Sequence, residues 1–225
     1  MQDPSYVHAA FSAIAKRYVT ANHVLSMGCD MEWRARVVQI IAEWKPERLL
    51  DIATGTGDLA LAIKRALPEV EVLGTDFCKP MLDIAVQRGL KDVLEADALN
   101  LPLPDGHYDV ATCAFGLRNM ADYGAALREF RRVIRPGGHL LLLDFSAPDN
   151  PIFGKPYSLY LHHVLPHLAG WITGEPAAYT YLGDSIESFP KGQALCELLQ
   201  ANGFADAVYK PQMTGIAGIY TALAV

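Results

Sequence analysis

Two hydrophobic periods alternate along the chain. From Met31 to Trp44, the apolar residues Trp33, Val37, Ile40, Ile41 and Trp44 recur at helical spacings, and Pro46 follows the stop. Arg48-Leu49-Leu50-Asp51-Ile52 is a short apolar run of the kind a strand buried on both faces carries. Gly55-Thr56-Gly57 breaks it, and a helix with Leu59, Ile63 and Leu67 on one face follows. The pattern then repeats. Glu71–Asp76 reads as a second strand, and a helix runs from Pro80 to Gly89. Asp92–Asp97 is a third strand and Tyr108–Phe115 a fourth. A helix from Gly124 to Ile134 places Leu127, Phe130 and Ile134 together and ends at Pro136-Gly137-Gly138. His139–Phe145, with four consecutive leucines, is the fifth strand.

Strands alternating with helices predict an α/β fold with a parallel sheet covered on both faces. After Ser146 the rhythm fails for nearly 40 residues. A helix then runs near Lys191–Asn202, before Gly203. Two last strands, near Asp206–Lys210 and Ala217–Val225, are too close for a parallel crossover, so they are expected to form a hairpin. The whole is a doubly wound, mostly parallel seven-stranded sheet with an antiparallel last strand. One domain over 1–225 is expected, with an N-terminal helical segment 1–31 and an insertion over about 147–183 that caps a substrate.

Composition narrows the function classes. Apolar residues are 51% and charged residues 20% of the 225, which excludes a disordered chain, a coiled coil or a fibre. A net charge of −6 without a basic patch argues against nucleic acid as a partner. Cys29, Cys78, Cys113 and Cys196 form no C-x-x-C pair, so they are expected to be reduced thiols of a cytoplasmic protein. No signal peptide and no membrane-spanning run are read at the N-terminus or elsewhere.

The chemistry concentrates at Leu50-Asp51-Ile52-Ala53-Thr54-Gly55-Thr56-Gly57-Asp58. Glycine lets a backbone approach a ligand closely. Asp76, about 20 residues on at a strand end, can accept both hydroxyls of a ribose. Gly55-x-Gly57-x-x-Ala60 also satisfies the dinucleotide fingerprint, and a plain strand–helix turn would look similar. Asp51 and Asp58 beside the loop would repel a diphosphate and would suit a cofactor bearing a sulfonium and an ammonium. Asp97-Ala98 adds an acid and a backbone N–H for an adenine.

The glycine string, Asp76, Asp97-Ala98 and Pro136-Gly137-Gly138 together resemble a class I methyltransferase. Phe115-Gly116-Leu117-Arg118-Asn119, Asp144-Phe145-Ser146-Ala147-Pro148 and Tyr181-Leu182-Gly183-Asp184-Ser185-Ile186 resemble the quinone C-methyltransferases (the UbiE/MenG family) from Phe11 to Tyr220. The resemblance implies S-adenosylmethionine as cofactor, S-adenosylhomocysteine as product and a lipophilic quinol as substrate. Carried onto this chain, the cofactor set is Asp51, Thr54, Gly55, Thr56 and Gly57, with Asp76, Phe77, Met81, Asp97, Ala98 and Ala114. Arg118 and Asn119 are the catalytic candidates, and Phe115, Tyr181 and Asp184 face the substrate. Departures are Ala114 for a frequent serine, Thr54 for a frequent glycine, Val19 after Tyr18, and Asp144 for the usual glutamate. Naphthoquinol and benzoquinol both stay open.

Methyl transfer to a ring carbon needs alignment with the sulfonium, a hydroxyl that loses its proton, and a weak base or held water for the last ring proton. Arg118 is expected to stabilise the phenolate and Asn119 to orient water or the quinol oxygen. His162, His163 and His167 lack an acid or cysteine companion and Pro166 interrupts them, so no metal is expected. The uncharged stretch Pro156–Gly174, with Leu159, Leu161, Val164, Leu165, Leu168, Trp171 and Ile172, suits an isoprenoid channel or peripheral membrane contact. A homodimer face would read the same way. Competing readings are a methyltransferase of another small aromatic or lipid substrate, and an inactive S-adenosylmethionine-binding protein.

Overall fold

Leu49, Leu50, Asp51 and Ile52 are all buried, so strand β1 (Arg48–Ile52) meets apolar neighbours on both faces. In the computed structural model, which describes Ser12, Ser26 and residues 28–148, 150–165 and 176–225, this strand is in the interior of a sheet. Its companions are β2 (Glu71–Asp76), β3 (Val93–Glu95), β4 (Tyr108–Ala114), β5 (Ile134–Phe145), β6 (Phe204–Gln212) and β7 (Ala217–Ala224). The order is β3-β2-β1-β4-β5-β7-β6. Strands β1 to β5 run parallel, and β7 runs against both β5 and β6. The doubly wound seven-stranded sheet with its antiparallel last strand is therefore present as the sequence predicts.

Seven α-helices are described: α1 (Cys29–Trp44), α2 (Asp58–Ala66), α3 (Lys79–Gln87), α4 (Tyr123–Val133), α5 (Pro151–Leu159), α6 (Pro176–Ser188) and α7 (Gln193–Ala201). Neighbouring strand residues feed opposite cores. Leu49 and Leu141 pack with Trp33, Val37 and Ile63 from α1 and α2. Leu50 and Leu142 pack with Leu127, Phe130, Leu195 and Leu199 from α4 and α7. This is a three-layer sandwich with one core on each face. Local signals close the helices. Asp122 accepts the Ala125 N–H at 2.8 Å to cap α4, and Pro80 occupies the first turn of α3.

Two regions differ from the sequence reading. Pro136-Gly137-Gly138 does not simply end a helix. Ile134 already pairs with Tyr108, the register slips, and His139 pairs with Val110. The extra residues bulge, with Gly137 at φ +75°. The stretch after Ser146 is largely helical where it is described. Helix α5 tolerates Pro156 and continues into a π-helical turn, Tyr160–Val164. Apolar residues there face both ways, which hides the helical period. Leu161 and Leu165 are buried, while Leu159 is exposed. Most of segment 1–31, and also Pro166, His167, Leu168, Trp171 and Ile172, lie outside the described residues.

Candidate active site

Because β1, β2, β3 and β4 are parallel, their carboxyl ends line one edge of the sheet. The chain turns back between β1 and β4, and a crevice opens at such a switch point. A cleft of about 190 Å³ occupies it. From the expected set, Gly55, Asp76, Phe77, Met81, Asp97, Ala98, Ala114, Phe115 and Asn119 line it. Ala53, Thr75, Ala96, Leu99, Gly116 and Met120 line it too, and the sequence reading did not name them. Their small or apolar side chains carry no chemistry that a sequence displays. The usable signal was position, directly after a strand.

Asp76 is the best-organised acid of the cleft. Its Oδ2 accepts the Gly55 N–H and its Oδ1 the Cys78 N–H, each at 2.8 Å. Both bonds hold the carboxylate at the strand end and tie it to the glycine loop. At Gly55, with φ +56°, a Cβ would meet nothing within 4 Å. That space lies on the cleft wall, where a ligand can rest against bare backbone. Asp97 is exposed at the far end, and its Oδ1 accepts the Leu99 N–H at 2.9 Å.

The other loop candidates do not border the cleft. Thr54 Oγ1 and Thr112 Oγ1 each donate to Asp51 at 2.6 Å, so Asp51 braces the loop from below. Thr56 Oγ1 donates to Asp58. Gly57, at φ +78°, packs its Cα side on Ala85, Leu90 and Leu61. Arg88 pairs with Asp58 at 2.7 Å and also donates to the Thr56 carbonyl. The charge argument built on Asp58 therefore weakens, because its charge is already matched.

Burial pushes the Asp51 carboxyl up to about 6 despite the two threonine bonds. Between the ordinary 3.8 and about 6, the folded chain binds a proton that the unfolded chain does not. Stability contributed by this group therefore falls as pH rises through that window, by up to about 3 kcal/mol. Asp51→Asn is expected to flatten that slope. Urea unfolding at about pH 4.5 and about pH 7 checks it. A variant as pH-dependent as the parent contradicts this role.

Past β4, Phe115 sits at φ +59°, an uncommon conformation for a bulky residue. Its N–H donates to the Leu143 carbonyl at 2.6 Å. Its carbonyl accepts Arg118 Nη1 at 2.6 Å and Asn119 Nδ2 at 3.1 Å. Gly116 is required here, since a Cβ would come within 2.6 Å of Ala53 Cβ and 2.8 Å of Cys113 Sγ. Ala53 itself has φ +54°, so two strained non-glycine residues meet where β1 and β4 end.

Arg118, on a 3-10 turn (Leu117–Asn119), is buried at 3% exposure and pairs with Asp144 at 2.6 Å. It does not line the cleft, whereas Asn119 does. Burial raises the Asp144 carboxyl above its ordinary value, and Arg118 acts in the opposite sense. Arg118 thus fastens the loop after β4 to the end of β5.

A second cavity of about 210 Å³ is lined by residues of α1, β5, α5, the π-helical turn and α6. Its wall includes Ser26, Trp33, Phe145, Tyr157, Tyr160, Leu161, Leu165, Leu182, Ile186, Met213 and Ile216. Burial raises the Tyr157 hydroxyl above its usual range, so it stays protonated. Of the apolar stretch, Leu161 and Leu165 reach this cavity, while Leu159 and Val164 face outward. Asp184 is exposed and borders neither cavity. It lies 3.9 Å from His162, which also meets Glu187 at 3.1 Å. His163 is exposed, and no cluster among the described residues could hold a metal. Tyr181 lies on α6, and its side chain is outside the described part. Among the described residues, no helix is long and apolar enough to cross a membrane.

Solved structures share this architecture. A methyltransferase of Thermotoga maritima that depends on S-adenosylmethionine superposes with a TM-score of 0.69 at 19% identity, covering 96% of this chain and 99% of that one. Human N-acetylserotonin methyltransferase, solved with S-adenosylmethionine, gives 0.65 at 18%, covering 96% and 58%. The fold is that of the class I methyltransferases. A family model described as the ubiE/COQ5 methyltransferase family matches residues 1–224, and the chain belongs to that family. It is 49% identical to the demethylmenaquinone methyltransferase of Thermus thermophilus, over 93% of this chain and 97% of that one. It is 41% identical to the ubiquinone/menaquinone biosynthesis C-methyltransferase UbiE of Syntrophotalea carbinolica, over 94% and 91%.

Proposed function

We propose that this chain transfers a methyl group from S-adenosylmethionine to a ring carbon of a lipophilic quinol, in menaquinone or ubiquinone biosynthesis. The observation that carries this is the pairing of two spaces. A polar-ended cleft lies at the sheet edge, and Phe115 of its lining stands 4.6 Å, ring to ring, from Phe145 in the lining of an apolar, aromatic-walled cavity. Relatives named for demethylmenaquinone and for ubiquinone/menaquinone methylation support the substrate class.

The cleft residues fit the cofactor. Asp76 lines the cleft with a carboxylate of the kind that accepts ribose hydroxyls, Met81 and Ala96 offer an apolar wall, and Asp97-Ala98 offers an acid and an amide for an adenine. Bare backbone at Gly55 leaves room for the remainder. When bound, the cofactor supplies an activated methyl group on a sulfonium. The protein's task is then alignment. Asn119 lines the cleft and would orient the quinol oxygen or a water there. Arg118 acts as a positioning residue, holding Phe115 and, through the shared carbonyl, Asn119. Its guanidinium lies over the Phe145 ring, 5.3 Å from the centroid, at the wall of the second cavity. The neutral Tyr157 hydroxyl can donate to a phenolate there. The cleft carboxylates Asp76 and Asp97 would be engaged by the ribose and the adenine, and a water held in the cleft would take the last ring proton.

The isoprenoid tail would follow Leu161, Leu165, Leu182 and Ile186. Outside, Ile152 and Leu159 are both exposed on α5 and would give this helix an apolar face toward a bilayer. Mass spectrometry of quinones from cells lacking this chain tests the reading. Quinones one methyl short are expected to accumulate, and the chain supplied in trans should clear them. An unchanged quinone profile contradicts it.

A further inference from the structure

Phe115 borders the cleft and Phe145 borders the second cavity, and their ring centroids lie 4.6 Å apart. The two rings therefore touch where residues of the two linings meet. Each is held from outside by an arginine. Arg34 lies 5.6 Å from the Phe115 centroid and is itself paired with Asp30. Arg118 lies 5.3 Å from the Phe145 centroid and is paired with Asp144. Trp33 meets Phe145 edge-on at 6.1 Å and Phe115 at 6.4 Å. Ordinary core packing does not require Phe115 to adopt φ +59°, a conformation uncommon for a bulky residue. Strain of that kind persists where the surroundings fix a side chain in one place.

We propose that the Phe115–Phe145 pair is a partition beside the path from methyl donor to acceptor, and that its shape sets which acceptor rings are methylated. This rests on the quinol reading above. A methyl group moves in line over a very short path, so the reacting carbon has to enter the cleft past the ring edges while the rest of the acceptor lies against the partition. Phe115 and Phe145 are then positioning and specificity residues, while Asn119 and the cofactor cleft are common to every acceptor. Shape selection of this kind is worth roughly 10- to 200-fold between ligands that differ slightly in size.

The test compares kcat/KM for a short-chain two-ring naphthoquinol and a short-chain one-ring benzoquinol, in the parent, Phe145→Leu and Phe145→Ala. Removing the ring leaves a space that the larger acceptor fills and the smaller one does not. The two-ring over one-ring ratio is expected to rise at least about tenfold in Phe145→Ala and about threefold in Phe145→Leu. S-adenosylmethionine affinity, measured by calorimetry, should stay within about threefold of the parent. Rates that fall in step for both acceptors, with the ratio unchanged, overturn the partition, because a merely structural defect moves both together. If Phe145→Ala does not fold, Phe145→Leu carries the same comparison. A parent enzyme that methylates neither quinol overturns the acceptor reading, and the partition with it; a parent that turns over with a fixed ratio overturns the partition alone.

Discussion

Asp76→Ala is expected to weaken S-adenosylmethionine binding at least about 100-fold, or about 3 kcal/mol. Two effects combine. The carboxylate that would accept ribose hydroxyls is lost, and so are the anchors of the Gly55 and Cys78 N–H groups, both at 2.8 Å. Asp76→Asn keeps one acceptor oxygen and should fall between the two. Calorimetry with the purified chain measures both. Binding within about threefold of the parent in Asp76→Ala would contradict the assignment of that acid to the cofactor.

The second large effect concerns Arg118. Removing one partner of a buried ion pair typically costs about 3–5 kcal/mol, because the other charge stays buried alone. Arg118→Ala should therefore lower the unfolding midpoint, and it should also cut kcat at least about 100-fold through the loss of the Phe115 and Asn119 alignment. Stability and activity have to be separated. The double variant Arg118→Met, Asp144→Leu replaces the pair with apolar bulk, and such replacements are often neutral or stabilising. It is expected to recover much of the midpoint and to remain slow, with cofactor affinity near the parent's. Recovery of full kcat alongside stability would reduce Arg118 to a structural pair.

Much of this architecture is legible in the residues. Leu49-Leu50 and the four leucines Leu140–Leu143 read as central strands because burial on both faces leaves no polar alternation. The final hairpin follows from a connection too short to cross over. The start of β5 was not legible, because Pro136-Gly137-Gly138 carries turn chemistry and only the pairing of Ile134 with Tyr108 reveals a bulge. The site shows a similar divide. Asp76 and Asp97 lie where strand ends put them. Proximity to the glycine loop misled for Thr54 and Thr56, whose hydroxyls turn to Asp51 and Asp58. Sequence distance says nothing about which way a side chain points on an irregular loop. Arg118 was legible as important, but its burial against Asp144 was not, since the partner is 26 residues away on the next strand. The second cavity was least legible. Trp33, Phe145, Tyr157, Ile186 and Ile216 come from separate segments and meet only in the folded chain.

The central claim is methyl transfer to a quinol carbon. Its most direct measurement is incubation of the purified chain with methyl-labelled S-adenosylmethionine and a reduced short-chain demethylmenaquinol, with the product's labelled position read by nuclear magnetic resonance. The account predicts label on a ring carbon, formed catalytically and abolished in Asp76→Ala. Cofactor bound tightly with no label on any quinol, or label on a quinol oxygen alone, would contradict it.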